Sequence, residues 1–124
     1  MAEELKRSIQ EIMKTTPGVR GIVIADRDGV PIIRVNDETV PETVMRPGFL
    51  SSVGFATEQS SKLGYGVTNH IISIHERHQI VHFNIPPLIL SVIADTECNT
   101  GILLTLRNEL SDITDAVRTA IQVA

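Results

Sequence analysis

Leu5, Ile9, Ile12 and Met13 fall at i, i+4, i+7 and i+8, which brings them to one face of a helix and leaves the charged residues of AEELKRSIQEIMK on the other. Pro17 disfavours helical geometry at Thr16, so the helix is predicted over about 3–14. The period then changes. Residues 19–25 (VRGIVIA) and 30–35 (VPIIRV) are β-branched runs too short for helices, and DRDG between them is a turn signal, so a hairpin is predicted. Pro31 cannot donate to a ladder and belongs at a strand start or with its nitrogen facing outward.

The stretch VNDETVPETVMRPG is polar, carries two prolines and has no periodicity, and reads as a connecting loop. A second helix is predicted from Pro47, with Phe49, Val53, Ala56, Ser60 and Leu63 on one face and Gly64 to Gly66 stopping it. HIISIHE and HQIVHFN alternate and form a hairpin turning at Glu76 and Arg77. After Pro86 and Pro87, the nearly all-apolar LILSVIA reads as a strand buried on both faces. Asn99 or Thr100 can cap a last helix on which Leu103, Leu106, Leu110, Ile113, Val117 and Ile121 step by three and four. It is predicted as one continuous helix of about 22 residues, near 33 Å long, packed on a sheet. The order is α-ββ-α-βββ-α: an α+β fold with a single five-stranded antiparallel sheet and helices around it, expected as one domain over 1–124.

Composition changes this picture little. Three Phe, one Tyr and no Trp make the core aliphatic and give little means of stacking on bases or sugars. A net charge of −4, with scattered cations, offers no electropositive face, which argues against nucleic acid as a partner. Cys98 is the only cysteine, so an internal disulfide and a Cys-rich zinc site are excluded, and a reducing compartment such as the cytoplasm suits the chain. The charged N-terminal stretch lacks the apolar segment of a secretory signal, and no run approaches the roughly 18 apolar residues of a membrane span. Ala2 in place of glycine and a C-terminal IQVA without cysteine give no lipidation signal. Direct membrane insertion is not expected, and any membrane address is expected to come through a partner.

Several residues invite chemistry. Asp26, Asp28 and Gly29 suggest the start of a calcium loop, but such a loop needs its glycine at position six and a bidentate Glu at twelve; here Gly29 falls at four and Asp37 at twelve. Asp26 first and Gly29 fourth is instead the chemistry of a type I turn. His70, His75, His78 and His82 lie within thirteen residues. A turn at Glu76 and Arg77 makes His75 and His78 face each other, with His82 on the same side but four residues along, about 13 Å away and out of reach of one ion shared with His78. A two-histidine site using His75 and His78, for a metal or a small ligand, stays open beside the plainer expectation of partly exposed imidazoles meeting solvent or a partner. Ser51, Ser52, Ser60 and Ser61 have no nucleophile-elbow pattern, Cys98 has no basic neighbour, and LGYGV holds only a G-x-G that precedes a strand. No catalytic grouping and no cofactor is expected.

The second helix stands out. Ser51, Ser52, Gly54, Ala56, Ser60 and Ser61 are spread over several faces, while Phe49, Leu50, Val53, Phe55 and Leu63 supply more apolar surface than one face needs. Such a helix is expected to pack on its own sheet with one side and on another subunit with the other.

The segments ADRDGVPIIRV, RPGFLS, ATEQSSKLG, PPLILSVIA and NTGILL, in this order, resemble the MEK-partner family of late-endosomal MAP-kinase scaffolds, subunits of the Ragulator complex, over nearly the whole chain from about Leu5. The resemblance implies a roadblock-type fold with the element order above, no catalytic residue and no cofactor. It implies a heterodimer with a second roadblock subunit, the sheets joined edge to edge through the third strand and the second helices packed together. By position, that points to Ile71, Ser73 and His75 on the strand and to Phe49, Val53, Ala56 and Ser60 on the helix. It further implies contacts with other Ragulator subunits, MEK and ERK kinases and Rag GTPases, with recruitment to the cytosolic face of late endosomes and lysosomes for MAP-kinase and mTOR signalling. The resemblance carries no histidine motif, so it leaves the cluster of four histidines unexplained, and the cluster is expected to be specific to this lineage.

Overall fold

The computed structural model describes residues 2–123. Helix α1 (Ala2–Thr15) leads into β1 (Val19–Asp26) and β2 (Pro31–Asn36). A short 3-10 turn (Glu42–Met45) precedes α2 (Pro47–Ser60), and β3 (His70–Ile74), β4 (His78–Ile85), β5 (Leu88–Asp95), α3 (Thr100–Glu109) and α4 (Ser111–Val123) complete the order. The five strands form one antiparallel sheet in the spatial order β2-β1-β5-β4-β3.

Strand alternation divides the core into two layers. Ile22, Ile24, Val81, Phe83, Leu90 and Val92 face α1, α3 and α4 and bury Ile9, Leu103, Leu106 and Leu110. Val23, Ala25, Ile80 and Ile93 face the other way, against Leu50 of α2 and Val40 and Met45 of the connection before it. With helices on both faces, the central strands β1, β5 and β4 are buried along almost their whole length.

The structure departs from the sequence expectation in four places. The last helix is two helices bent at Leu110, whose φ of −93° and ψ of 2° break the α-helical path. The bend lets the stripe follow a twisted sheet, and Leu103, Leu106, Leu110, Ile113 and Val117 all stay buried while Ile121 is left partly in solvent. Ser111 and Asp112 start the new helix, as residues favoured at helix starts and in the first turn. The polar connection between β2 and α2 is anchored, since Val40 and Met45 are buried.

β4 does not alternate between buried and exposed. Its polar residues are enclosed and bonded: Gln79 Nε2 donates to the carbonyls of Asp95 (3.1 Å), Thr96 (3.3 Å) and Cys98 (2.7 Å), while Thr100 Oγ1 donates to Gln79 Oε1 (2.6 Å). Asn84 Nδ2 donates to the Thr68 carbonyl at 2.8 Å, and its Oδ1 accepts from Arg27 Nη2 at 2.9 Å. A buried amide whose donors and acceptor are all used is compatible with the interior. Finally, the buried face of α2 is Leu50, Val53, Gly54 and Thr57. Gly54 lies inside because the β1–β2 turn crosses it closely, so that an added Cβ would stand 2.9 Å from the Arg27 carbonyl oxygen. Thr57 can be buried because its hydroxyl donates to the Val53 carbonyl at 2.8 Å.

Candidate functional site

The two edges of the sheet are built differently. β2 begins at Pro31, has a register shift opposite Ile24 and Ala25, and carries Arg34, all features that discourage another strand from adding there. β3, with the sequence HIISI, has no proline, no register shift and no formally charged residue, and lies open at the other edge. The His75 N–H donates to the His78 carbonyl at 2.8 Å, and the Asn84 N–H to the Asn69 carbonyl at 2.8 Å. Antiparallel alternation therefore turns the backbone groups of residues 69, 71, 73 and 75 toward β4 and those of His70, Ile72 and Ile74 outward. That outward row is a ready template for a further strand.

Beside this edge runs α2, begun by Pro47 at its first position and followed by a 3-10 turn that Gly64 closes at φ +87°. Its outer side exposes apolar residues among the polar Ser52, Glu58 and Gln59. Phe55 is 64% exposed and Leu63 70%, and the loop that follows adds Tyr65 at 93%; Ile74 on β3 is 73% exposed.

The residues named from the sequence separate over this surface. Ala56 is exposed on α2, Phe49 and Ser60 are half-buried, and Val53 is buried against the chain's own sheet. Ile71 and Ser73 are half-buried on the α2 side of β3, opposite His82 and Ile80, and exposed His75 follows at the strand's end. Their backbone groups serve β4, so the open row belongs to their neighbours His70, Ile72 and Ile74. Sequence reasoning counted Phe55 and Leu63 in the apolar excess of the second helix without placing them at the interface, and passed over Tyr65, Ile72 and Ile74.

The β1–β2 turn holds α2 from below. Asp26 Oδ1 accepts from the backbone N–H groups of Asp28 and Val30, each at 2.9 Å, and the Gly29 N–H donates to the Asp26 carbonyl at 3.1 Å. Gly29 takes φ +86° and sits against the α2 backbone: a Cβ would meet the Pro47 carbonyl oxygen and stand 2.5 Å from the Ser51 nitrogen. The side chain of Asp26 is thus used by the turn itself.

The histidines do not act as one group. His82, expected to be partly exposed, is buried beneath α2: a ring nitrogen meets Ser91 Oγ at 2.7 Å and its ring lies 5.9 Å from that of Phe49. Burial, with a smaller contribution from the charge of His75, pushes its pKa down to about 4. The cause of the misplacement is α2, which covers β4 on the face that sequence alternation leaves to solvent. His75 and His78 line an open cleft of about 310 Å³ with Phe49, Val44 and Ile80. His75 Nε2 is 3.0 Å from Ser73 Oγ. Among the described residues, no three His, Cys, Asp or Glu side chains converge as a metal site would require. No helix among them is long and apolar enough to cross a membrane.

Comparison with known proteins gives the surface a context. Residues 3–121 match the family described as mitogen-activated protein kinase kinase 1 interacting. The chain is 44% identical over 123 residues to the Ragulator complex protein LAMTOR3-B of Xenopus laevis, covering 99% of this chain and 100% of that one. It is 40% identical over 124 residues to the Homo sapiens Ragulator complex protein LAMTOR3, covering all of both. Among solved structures, Myxococcus xanthus MglB superposes with a TM-score of 0.76 at 11% identity, covering 96% of this chain and 91% of that one. A Roadblock/LC7 domain from Streptomyces avermitilis does so with 0.66 at 13%, covering 91% and 93%. These two likenesses establish a roadblock-type fold, and the match over nearly the whole chain establishes more: the chain belongs to the mitogen-activated protein kinase kinase 1 interacting family.

Proposed function

We propose that this chain is a non-enzymatic scaffold subunit of a Ragulator assembly, and that it works as one half of a heterodimer with a second roadblock-fold subunit. The observation that carries this reading is the undefended β3 edge, with its outward backbone groups at His70, Ile72 and Ile74, beside an α2 and following 3-10 turn that leave Phe55 and Leu63 in water. An edge strand and an apolar helix face on one side of a molecule are together what a second sheet and helix of the same kind would cover. The names of the relatives at 40–44% identity support the Ragulator assignment, and the family's description supports a MAP-kinase kinase as partner.

On this reading the heterodimer tethers MEK and ERK at late endosomes and helps to anchor Rag GTPases for mTOR complex activation at lysosomes. It is cytoplasmic and reaches the membrane through other Ragulator subunits. Light scattering on the chain alone and co-expressed with a second roadblock-fold subunit tests the pairing: a 1:1 complex supports it, and a lone monomer that ignores the partner removes it.

The cleft between His75 and His78 favours a second reading, binding of a small ligand or metal ion by the two imidazoles. Calorimetric titration with zinc at neutral pH decides, and no heat above the buffer blank removes this reading.

A further inference from the structure

The loop between α2 and β3 stands off the body of the protein. Gly64 and Gly66 take φ of +87° and +95°, and a Cβ at either would meet open space. Beside them Leu63, Tyr65 and Val67 are 70%, 93% and 72% exposed. The base of the loop is nevertheless closed: the Thr68 N–H donates to Ser61 Oγ at 3.3 Å, and Asn84 Nδ2 donates to the Thr68 carbonyl at 2.8 Å. Residues 64–67 therefore form a short tongue on a fixed base, with its apolar side chains largely in water.

A hollow lies at the other end of β3. Val44, Phe49 and Ile80 wall the open cleft of about 310 Å³, and Thr43, His75 and His78 supply its polar groups. His70–Ile74 span about 17 Å between tongue and cleft, so neither serves the other within one chain. The direction of pairing decides what does. A second sheet can join the β3 edge either way, but a parallel strand turns the added subunit over and sends its second helix to the opposite face. Antiparallel addition, a rotation about an axis normal to the sheet, keeps both second helices on one face, where Phe55 and Leu63 stand exposed. The start of each third strand then lies beside the end of the other, and the last turn of each second helix beside the first turn of its neighbour. Strand and helix agree, and the tongue of one subunit arrives at the hollow of the other.

We infer that residues 64–67 are a tongue that clasps the partner subunit. Tyr65 and Val67 enter the hollow between the partner's third-strand hairpin and the start of its second helix, and the partner's corresponding loop enters the cleft of this chain between Val44, Phe49 and His78. A Tyr-bearing tip suits a hollow of this kind, whose walls are apolar and whose polar groups, here Thr43, His75 and His78, can meet a phenolic hydroxyl. The clasp depends on the pairing proposed for β3 and α2 and lies outside both the strand ladder and the helix faces.

The test uses the full chain and a second roadblock-fold subunit. Tyr65→Ser with Val67→Ser removes the apolar tip from an exposed loop, so the melt of the lone chain should be unchanged while the dissociation constant of the complex rises at least tenfold. Thr43→Arg, at the exposed rim of the cleft, should weaken the complex by a similar factor. A benzophenone-bearing phenylalanine at position 65 should crosslink to the partner's third-strand hairpin or to the start of its second helix, and the methyl signals of Thr43 and Val44 should shift when the complex forms. Wild-type affinity of the folded double variant would overturn the inference, and so would crosslinks to any other part of the partner. Unmoved Thr43 and Val44 signals would overturn it too, because the cleft would then stay open to a small ligand or metal ion in the complex. The crosslink keeps the test decisive if the double variant does not fold. The two readings fail separately: absence of any complex removes the pairing and the clasp together, whereas a complex that protects Ile72 and Ile74 but ignores the double variant removes the clasp alone.

Discussion

His82 and Ser91 stand directly opposite each other on β4 and β5, with a ring nitrogen of the histidine 2.7 Å from the serine oxygen and α2 closing the site from above. An imidazole enclosed in this way has one hydrogen-bond partner and almost no water, so the neutral form is favoured and the pKa falls from 6.5 to about 4. The unfolded chain therefore binds more protons than the folded one between these values. The contribution is complete above about pH 6.5 and is lost as the pH falls to about 4, amounting to about 3 kcal/mol. Urea midpoints measured across that window should decline, and His82→Gln should flatten the decline, because an amide can still meet Ser91 and does not titrate. An equal decline in the variant would move the acid sensitivity to other groups.

Gly29 is required twice, by its φ of +86° and by the α2 backbone against which it sits. Gly29→Val should cost roughly 2 kcal/mol or more and lower the thermal midpoint by about 5–10 °C. An unchanged melt would show that the turn does not hold α2 as described.

Gln79 fastens the loop between β5 and α3 through three carbonyls and one hydroxyl, all with its own side chain. Gln79→Leu keeps the bulk and strands those acceptors, so a loss of about 2–3 kcal/mol in chemical denaturation is expected. A neutral result would mean that water replaces the amide without cost.

Two neighbours on α2 separate folding from assembly. Val53 is buried against the chain's own sheet, so Val53→Asp should destabilise the lone chain by several kcal/mol. Ala56 and Phe55 face outward, so Ala56→Arg or Phe55→Ser should leave the melt within about 0.5 kcal/mol and weaken heterodimer formation at least tenfold. Full pairing by a folded Ala56→Arg chain would place the partner elsewhere.

Much of this architecture is legible in the sequence because the signals are strong. Leu5, Ile9 and Ile12 mark α1, the β-branched runs mark the strands, and Asp26 with Gly29 marks the first turn. What is lost is lost for definite reasons. Small residues give α2 little contrast between its faces, so nothing in the pattern marks Gly54 and Thr57 as buried; the close Arg27 carbonyl and a bond within the helix explain them. The stripe from Leu103 to Val117 has the same spacing whether the helix is straight or bent at Leu110, and only Ser111 and Asp112 hint at a restart. Gln79, His82 and Asn84 are polar letters whose partners come from other strands and loops, so their burial depends on contacts no local pattern contains. For the candidate surface, the second helix stood out by its excess of apolar residues and the third strand was named only through the resemblance; which strand residues turn their backbone outward needed the hydrogen-bond phase of β3, and which helix residues do needed the packing of α2.

That phase also gives the most direct test of the pairing surface. The amides of Ile72 and Ile74 point away from β4, whereas those of Ile71 and Ser73 are spent within the sheet. Hydrogen exchange on the lone chain should find Ile72 and Ile74 poorly protected. In the complex with a second roadblock-fold subunit, both should slow by about a hundredfold or more, as amides do when they enter a stable ladder. Unchanged exchange at Ile72 and Ile74 in a verified complex would contradict pairing through the β3 edge.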